Sequence, residues 1–243
     1  MSRILMVQNG PHGGPGRLGD WLTADGATLD VVHAYRGDPL PERLEHQALV
    51  VLGGAYLPDE DDRAPWLAAA RTLTRQALRH GTPYLGICLG GQMLAQVAGG
   101  TVRGEHGPPE FGSTPLSLRA EAADDPLFHG LPPRVTAIER HVDAITALPP
   151  GAAWLAESEG CPYQAFRVGA TAWGVQFHPE VTAERVRDWD PGVLRARGFD
   201  PVEVCRRAAA DEAAAEPVWR EVARRFAVAV TREARRGAAG SVA

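Results

Sequence analysis

The sequence predicts an α/β protein with a doubly wound, mostly parallel sheet, flanking helices, antiparallel edge strands and a C-terminal helical segment. The first half alternates apolar runs of strand length with an amphipathic helical segment, which is typical of a parallel sheet covered on both faces. The middle, residues 101–177, has short apolar runs separated by Pro-Pro and Gly-Pro breaks, which indicate strands joined by turns. After residue 179, apolar residues recur at helical spacing.

The individual elements follow in chain order. The predicted strands of the first half are residues 4–8, 28–32, 48–52 and 85–88. An amphipathic helix at residues 66–78 joins the last two of them. Near the end of the chain, four apolar side chains at helical spacing predict a packing face: Trp219, Val222, Phe226 and Val230. Because ligands of such sheets bind beyond the carboxyl ends of the strands, we expect the functional site there.

The domain organisation is expected to be simple. Residues 1–181 would form the core of one domain, and residues 182–236 would be helices packed on that same domain. Residues 237–243 would be a frayed tail.

The composition excludes several classes of function. The 243 residues carry a formal net charge of -5 and show no basic patch, which argues against nucleic-acid binding. The chain has no lysine, so neither a lysine Schiff base nor a P-loop nucleotide site is possible. Three scattered cysteines are too few for a disulfide framework or a zinc cluster and fit a reducing compartment. We therefore expect no metal and no cofactor.

The N-terminal apolar run, about half a dozen residues, is too short for a signal peptide or a membrane span. This predicts a cytoplasmic protein without membrane association.

The segment from Gly14 to Gly19 matches the G-x-G-x-x-G pattern of dinucleotide-binding loops. The match is weak because several residues separate it from the preceding strand, whereas that fingerprint needs a tight strand-to-helix turn. Asp30 lies inside the second predicted strand instead of at its end, where a ribose-binding carboxylate belongs. We therefore interpret the segment as a mobile glycine-rich loop near the site.

The stretch around Cys88 places a thiol at a strand-to-helix turn. A buried strand leads directly into Cys88, and glycines then turn the chain into a segment with helical periodicity. Such a turn aims the side chain out of the sheet, and the amides that open the helix favour the thiolate, the reactive form. The alternative is that Cys88 is one more small apolar core residue.

The stretch around His178 supplies a matching base. A strand ends at His178, Pro179 fixes a bend, and Glu180 can fold back toward the imidazole ring. An imidazole held by a carboxylate can take a thiol proton and return it, so Cys88, His178 and Glu180 can form a catalytic triad. The alternative is a surface histidine at a turn.

Two motifs together carry a family resemblance. Gly-Ile-Cys-Leu-Gly-Gly-Gln at residues 86–92 resembles the nucleophile motif of class I (triad) glutamine amidotransferases, and Gly-Val-Gln-Phe-His-Pro-Glu at residues 174–180 resembles their histidine-glutamate motif. Leu-Gly-Gly at 52–54 resembles their oxyanion strand, and His-Val-Asp at 141–143 and Glu-Phe-Gly at 110–112 resemble segments of the GMP-synthetase type. The chain departs from the pattern at Ala55, where the family usually has proline. The resemblance spans about residues 4–181.

The resemblance implies a flavodoxin-like amidotransferase fold and a set of site residues. Cys88 would be the nucleophile, His178 the acid and base, and Glu180 the residue that orients His178. The resemblance further implies an oxyanion site formed by the backbone of Gly53, Gly54 and Leu89, and a glutamine contact from Gln92, for which the alternative is a helix-surface residue. His141 and Asp143 either line the exit toward an ammonia acceptor or form a local turn.

Three functions remain open from the sequence. The first is a glutamine amidotransferase or glutaminase-type hydrolase that takes L-glutamine and supplies ammonia to a separate synthase subunit. The second is a hydrolase of the same fold that acts on another γ-glutamyl amide or peptide. The third is a catalytically idle binding or regulatory module, against which the presence of all three triad residues argues.

Overall fold

A computed structural model describes residues 2–240 of the chain, with side chains through residue 236. The strands are β1 (Ser2–Gln8), β2 (Ala27–His33), β3 (Ala48–Val51), β4 (Tyr84–Ile87), β5 (Thr101–Arg103), β6 (Glu110–Leu118), β7 (Arg134–His141), β8 (Ala144–Ala147), β9 (Ala153–Glu157), β10 (Ala165–Val168) and β11 (Ala172–Val175). The helices are α1 (Gly16–Ala24), α2 (Leu67–His80), α3 (Leu89–Val97), α4 (Ala183–Val186), α5 (Pro191–Ala196) and α6 (Pro201–Gly240).

The predicted fold class is confirmed. The main sheet has the strand order β2-β1-β3-β4-β11-β10-β9-β6-β7. Its first five strands are mutually parallel, and the four strands from β10 to β7 are antiparallel neighbours. Strands β5 and β8 form a separate antiparallel pair. All four strands predicted in the first half are present, within two residues of the expected bounds.

Two apolar cores cover the two faces of the sheet. On one face, α2 and α3 pack on side chains such as Leu49 and Val51. On the other face, α1 and α6 pack on alternate strand residues such as Ile4 and Ile87. This two-sided burial explains why the parallel strands are apolar along their whole length.

Helix α6 presents the predicted apolar stripe to the sheet. The ring of Trp219 lies 4.5 Å from that of Phe177, and the ring of Phe226 lies 6.3 Å from that of Trp173. The helix thus completes the core of the strands that carry the site. This supports our proposal that residues 182–236 belong to the same domain as residues 1–181.

Two details differ from expectation or extend it. The glycine-rich segment expected to be a mobile loop instead enters a helix, because α1 already begins at Gly16. Helix α6 runs to Gly240, into the predicted tail 237–243, and residues 241–243 lie outside the described residues. Between residues 2 and 240, none of the helices combines the length and apolar character that crossing a membrane requires.

Candidate active site

Cys88 occupies a strained backbone turn between β4 and α3. Its φ of 51° and ψ of -108° lie in a region that residues with a side chain rarely adopt, and such strain is concentrated at functional sites. The turn is fixed on both sides, since the Cys88 amide donates to the Val175 carbonyl at 2.8 Å and the Gln92 amide donates to the Cys88 carbonyl at 2.9 Å. The side chain therefore stands at the carboxyl end of the parallel strands.

The glycines around Cys88 allow close backbone packing. A Cβ on Gly86 would lie 2.3 Å from the carbonyl oxygen of Gly90, and a Cβ on Gly90 would lie 2.0 Å from that of Val51. On Gly91, a Cβ would lie 2.6 Å from the carbonyl oxygen of Val175. Helix α3 can therefore sit directly on β3 and β11 only because these positions lack side chains.

His178 is held beside Cys88 from two directions. Its Nδ1 lies 2.6 Å from Glu180 Oε1, and its amide donates to the Ile138 carbonyl at 2.8 Å. A Cβ on Gly53 would lie 2.9 Å from His178 Cε1 and 3.5 Å from Cys88 Cβ, so both side chains converge on that glycine. The three predicted triad residues thus meet at one place, although 90 positions separate Cys88 from His178 in the chain.

The charge state of His178 follows from these neighbours. Burial lowers the pKa of His178, but the carboxylate of Glu180 and the sulfur of Cys88 outweigh it and hold that pKa well above its usual value. His178 Nε2 is buried and has no hydrogen-bond partner within the described part of the chain. Nδ1 is engaged by Glu180, so Nε2 is the nitrogen left for proton transfer.

The segment after β3 packs against Cys88 and the start of α3. A Cβ on Gly54 would lie 2.8 Å from Leu89 Cδ2, so Gly54 packs directly on the first residue of α3. Asn9, which the sequence reasoning missed, fixes the segment by donating from Nδ2 to the Leu52 carbonyl at 2.8 Å. The oxyanion role of the Gly53, Gly54 and Leu89 amides remains a prediction.

Gln92 is a buried wall residue. Its Nε2 donates to Gln176 Oε1 at 3.1 Å and to the Asp143 carbonyl at 3.2 Å. Gln176 in turn directs its Nε2 toward Cys88 Sγ at 3.5 Å. The amide of Gln92 is committed to protein partners, so its contact with glutamine remains a prediction.

His141 and Asp143 form a local turn after β7. His141 Nδ1 lies 3.0 Å from the Asp143 carbonyl oxygen, and Asp143 Oδ1 accepts from the Glu105 amide at 2.9 Å. The sequence left open an ammonia exit or a local turn at these residues, and these contacts are those of a local turn. The exit role remains a prediction.

Comparison with known proteins identifies the family. The sequence model described as "Glutamine amidotransferase class-I" matches residues 22–188. The chain belongs to this family. Its expected identification as a class I glutamine amidotransferase is thereby confirmed, and the enzyme class with it.

Curated relatives and solved structures extend the identification. The chain is 38% identical over 148 residues to the "GMP synthase [glutamine-hydrolyzing]" of Porphyromonas gingivalis, a match that covers 60% of this chain and 28% of the relative. It is 37% identical over 131 residues to one subunit of the "GMP synthase [glutamine-hydrolyzing]" of Sulfurisphaera tokodaii, covering 54% and 64% of the two chains. A glutamine amidotransferase structure from Thermotoga maritima superposes with a TM-score of 0.83 at 27% identity, covering 93% and 98%. The chain thus spans about a third or less of the longer GMP synthases it matches.

Glu139 is a buried carboxyl beside the amidotransferase triad that the sequence reasoning missed. It is fully buried, and neither of its oxygens has a hydrogen-bond partner among the described residues. Burial, reinforced by the neighbouring Glu110, raises the pKa of Glu139 well above its usual value. The inward position could have been recognised from the alternation along β7, since His141 shares its face two residues later.

Glu139→Gln is expected to make the protein more stable than wild type, by an amount that grows as the pH rises. The folded chain holds the Glu139 proton more tightly than the unfolded chain, so stability is lost as the pH rises from the unfolded pKa, near 4.5, toward the raised folded pKa. The glutamine amide has no such proton. Relative to wild type, the free energy of unfolding of the variant should rise by about 1–3 kcal/mol between about pH 5 and about pH 8 in urea titrations. Glu45→Gln, at an exposed position, is the matched control. If the free energies of unfolding of wild type and Glu139→Gln differ by the same amount at both pH values, the folded chain does not hold the Glu139 proton more tightly than the unfolded chain.

The polar cluster behind Glu139 has the ligand types of a metal site but is satisfied by hydrogen bonds. Ligand atoms of Glu110, His141 and Cys161 lie within 4.8 Å of one another. Glu110 accepts from Ser158 Oγ and from Gln164 Nε2, each at 2.6 Å, and lies 2.9 Å from His141 Nε2. Burial raises the pKa of the Cys161 thiol to about 12, so it stays protonated. We interpret the cluster as a structural network that anchors β6 to β7.

Proposed function

We propose that the chain hydrolyses the side-chain amide of L-glutamine through a γ-glutamyl thioester on Cys88 and supplies the ammonia to an acceptor on a separate synthase subunit. The observation that carries this proposal is the convergence of the strained Cys88 turn and the His178–Glu180 pair on Gly53. We further propose a cytoplasmic location, which the free thiols of Cys88, Cys161 and Cys205 support.

The chemical steps follow from this arrangement. The Cys88 thiolate attacks the amide carbon of glutamine, and the negative oxygen is held by the amides of Gly54 and Leu89. Protonated His178 donates its Nε2 proton to the departing nitrogen, so ammonia leaves and the thioester remains. Neutral His178 then takes a proton from water, whose oxygen attacks the thioester, and glutamate and the Cys88 thiolate are released.

Arg140 supplies a cation for the substrate at the rim of the site. It lies on β7 two residues beyond Ile138, whose carbonyl holds His178, and three residues before Asp143, whose carbonyl holds Gln92. It is exposed, and its guanidinium carbon lies 5.1 Å from the centroid of the Trp189 ring. None of the carboxylates in the described part of the chain pairs with it. We propose that Arg140 binds the α-carboxylate of glutamine.

Arg140→Gln is expected to raise KM for glutamine about 10- to 100-fold, because a charge-assisted hydrogen bond to the carboxylate is lost. Its kcat should change by less than about threefold, since Arg140 binds the α-carboxylate equally in the ground and transition states. The readout is glutamate release over a range of glutamine concentrations. The matched control is Arg119→Gln, because Arg119 also stacks on a tryptophan, Trp154, but lies at the far end of β6. An unchanged KM in Arg140→Gln would contradict the assignment.

The separate acceptor is supported by one relative. The Sulfurisphaera tokodaii protein is named as a subunit of a GMP synthase, and this chain matches 64% of its length. We propose a similar division of labour here, in which a second chain consumes the ammonia.

One comparison of substrates separates the three functions. The purified chain is incubated with glutamine and with N-substituted γ-glutamyl amides, and Cys88 is labelled with a glutamine-like electrophile. Glutamate release from glutamine, alone or with a synthase partner, supports the amidotransferase. Turnover of the substituted amides alone would support the γ-glutamyl hydrolase. Absence of both turnover and label in a folded protein would support the idle module.

A further inference from the structure

We propose that Arg17 is a positioning residue for His178 and Glu180, and that Glu212 of α6 holds Arg17 in place. The C-terminal helix would thereby set the geometry of the catalytic turn. This inference rests on the proposed function for its kinetic consequence, whereas its geometric consequence can be measured without substrate.

Arg17 holds the backbone on both sides of the Glu180 Cα, from which the side chain that orients His178 extends. Its Nε donates to the Pro179 carbonyl at 2.9 Å, and its amide donates to the Glu180 carbonyl at 3.2 Å. These two carbonyls belong to the residues that immediately follow His178. The orientation of Glu180 toward His178 Nδ1 therefore depends on a residue in the first helix of the chain.

The start of α1 is shaped for this contact. Gly16 has a φ of +49°, and a Cβ there would lie 2.2 Å from the carbonyl oxygen of Glu180. Only glycine lets α1 approach the turn so closely. The glycine-rich segment that resembled a dinucleotide loop thus has a different role, because it lets α1 pack directly on the turn that carries His178 and Glu180.

Glu212 anchors Arg17 from the opposite side. Its Oε1 pairs with Arg17 Nη1, and its Oε2 accepts from the Ala183 amide, which opens α4, at 2.8 Å. The Arg17 side chain is only 9% exposed. Because the Arg17 guanidinium is buried, loss of the partly exposed Glu212 would leave its charge without compensation, so the placement of Arg17 depends on Glu212. The contacts from Arg17 to Glu212, and from Glu212 to the start of α4, thus fix the backbone at both ends of the segment from Pro179 to Ala183.

The kinetic test compares Arg17→Met with a control on the same pair of helices. Arg17→Met keeps the apolar stem and the backbone amide and removes the side-chain donors. We expect kcat for glutamine to fall about 10- to 100-fold while KM stays within about threefold, because misplacement of a catalytic group by about 1 Å is costly. Glu212→Gln should lower kcat in the same direction by a smaller factor. The double variant should match Arg17→Met alone, since both act through one contact. Arg220→Gln, which breaks the α1–α6 contact to Asp25 away from the turn, should retain wild-type kcat.

The geometric test observes the proton between His178 and Glu180 directly. A proton in so short a hydrogen bond gives a far-downfield signal in ¹H NMR, which Glu180→Gln identifies by its loss. We expect this signal to shift or vanish in Arg17→Met and to persist in Arg220→Gln. The positioning role would be overturned if the folded Arg17→Met and Glu212→Gln proteins both kept the wild-type signal. If the signal shifts in Arg17→Met but the wild-type protein does not turn over glutamine, the positioning role is upheld and the proposed function is refuted.

Discussion

Cys88→Ala is expected to abolish glutamine hydrolysis, lowering kcat by at least about 10⁴-fold. Alanine has no nucleophile, and the neighbouring amides and His178 can then assist only the slow direct attack of water. The variant should fold normally, because alanine is smaller and can keep the hydrogen bonds that the Cys88 backbone makes to Val175 and Gln92. Glutamate release measured on purified protein gives the readout.

Cys205→Ala is the matched control for this experiment. Cys205 lies on α6, is partly exposed and belongs to a small cluster of apolar side chains around α4 and α5. Its removal should leave kcat unchanged. Residual activity of Cys88→Ala clearly above about 0.01 per cent of wild type, the level that a 10⁴-fold loss leaves, would show that another group carries the acyl transfer.

Gly90→Ala is expected to destabilise the protein by at least about 3 kcal/mol, the upper end of the usual range for a single substitution. The new methyl would lie 2.0 Å from the Val51 carbonyl oxygen and 3.0 Å from Val51 Cβ, so either β3 or α3 must move. Since α3 carries the amide of Leu89, glutamine turnover should fall even in the fraction that stays folded. Urea unfolding followed by circular dichroism measures the first effect.

Gly10→Ala supplies the control for loss of glycine itself. No atom outside its neighbours lies within 4 Å of a Cβ built there, so its stability should change by less than about 1 kcal/mol. Equal stabilities of the Gly90 and Gly10 variants would show that α3 does not need to approach β3 so closely.

The sequence predicts those parts of the structure that depend on residues close to one another in the chain. The Cys88 turn is a strand, a thiol and three nearby glycines within ten residues, and His178 and Glu180 follow the end of another apolar strand. Parallel strands place such ends at one edge of a sheet, so the meeting of the two motifs follows from topology.

The parts that the sequence does not predict depend on contacts between distant segments. The Arg17–Glu212 pair joins residues 195 positions apart, and neither residue has a local pattern that sets it apart from other charged helix residues. Glu139 is an intermediate case, because the alternation along β7 indicates its inward side, whereas its lack of a hydrogen-bond partner depends on how distant segments pack around it. The error at Gly14–Gly19 arose because glycine marks both flexible loops and close backbone contacts.

The central claim is that Cys88 carries a γ-glutamyl thioester during turnover. Its most direct test is acid-quenched intact-mass spectrometry of the protein mixed with glutamine, followed by peptide mapping. We expect an added mass of one γ-glutamyl group on the peptide that contains Cys88, which appears within the first turnover and disappears when glutamine is exhausted. Glutamate release with no adduct on Cys88, or an adduct on another residue, would contradict it.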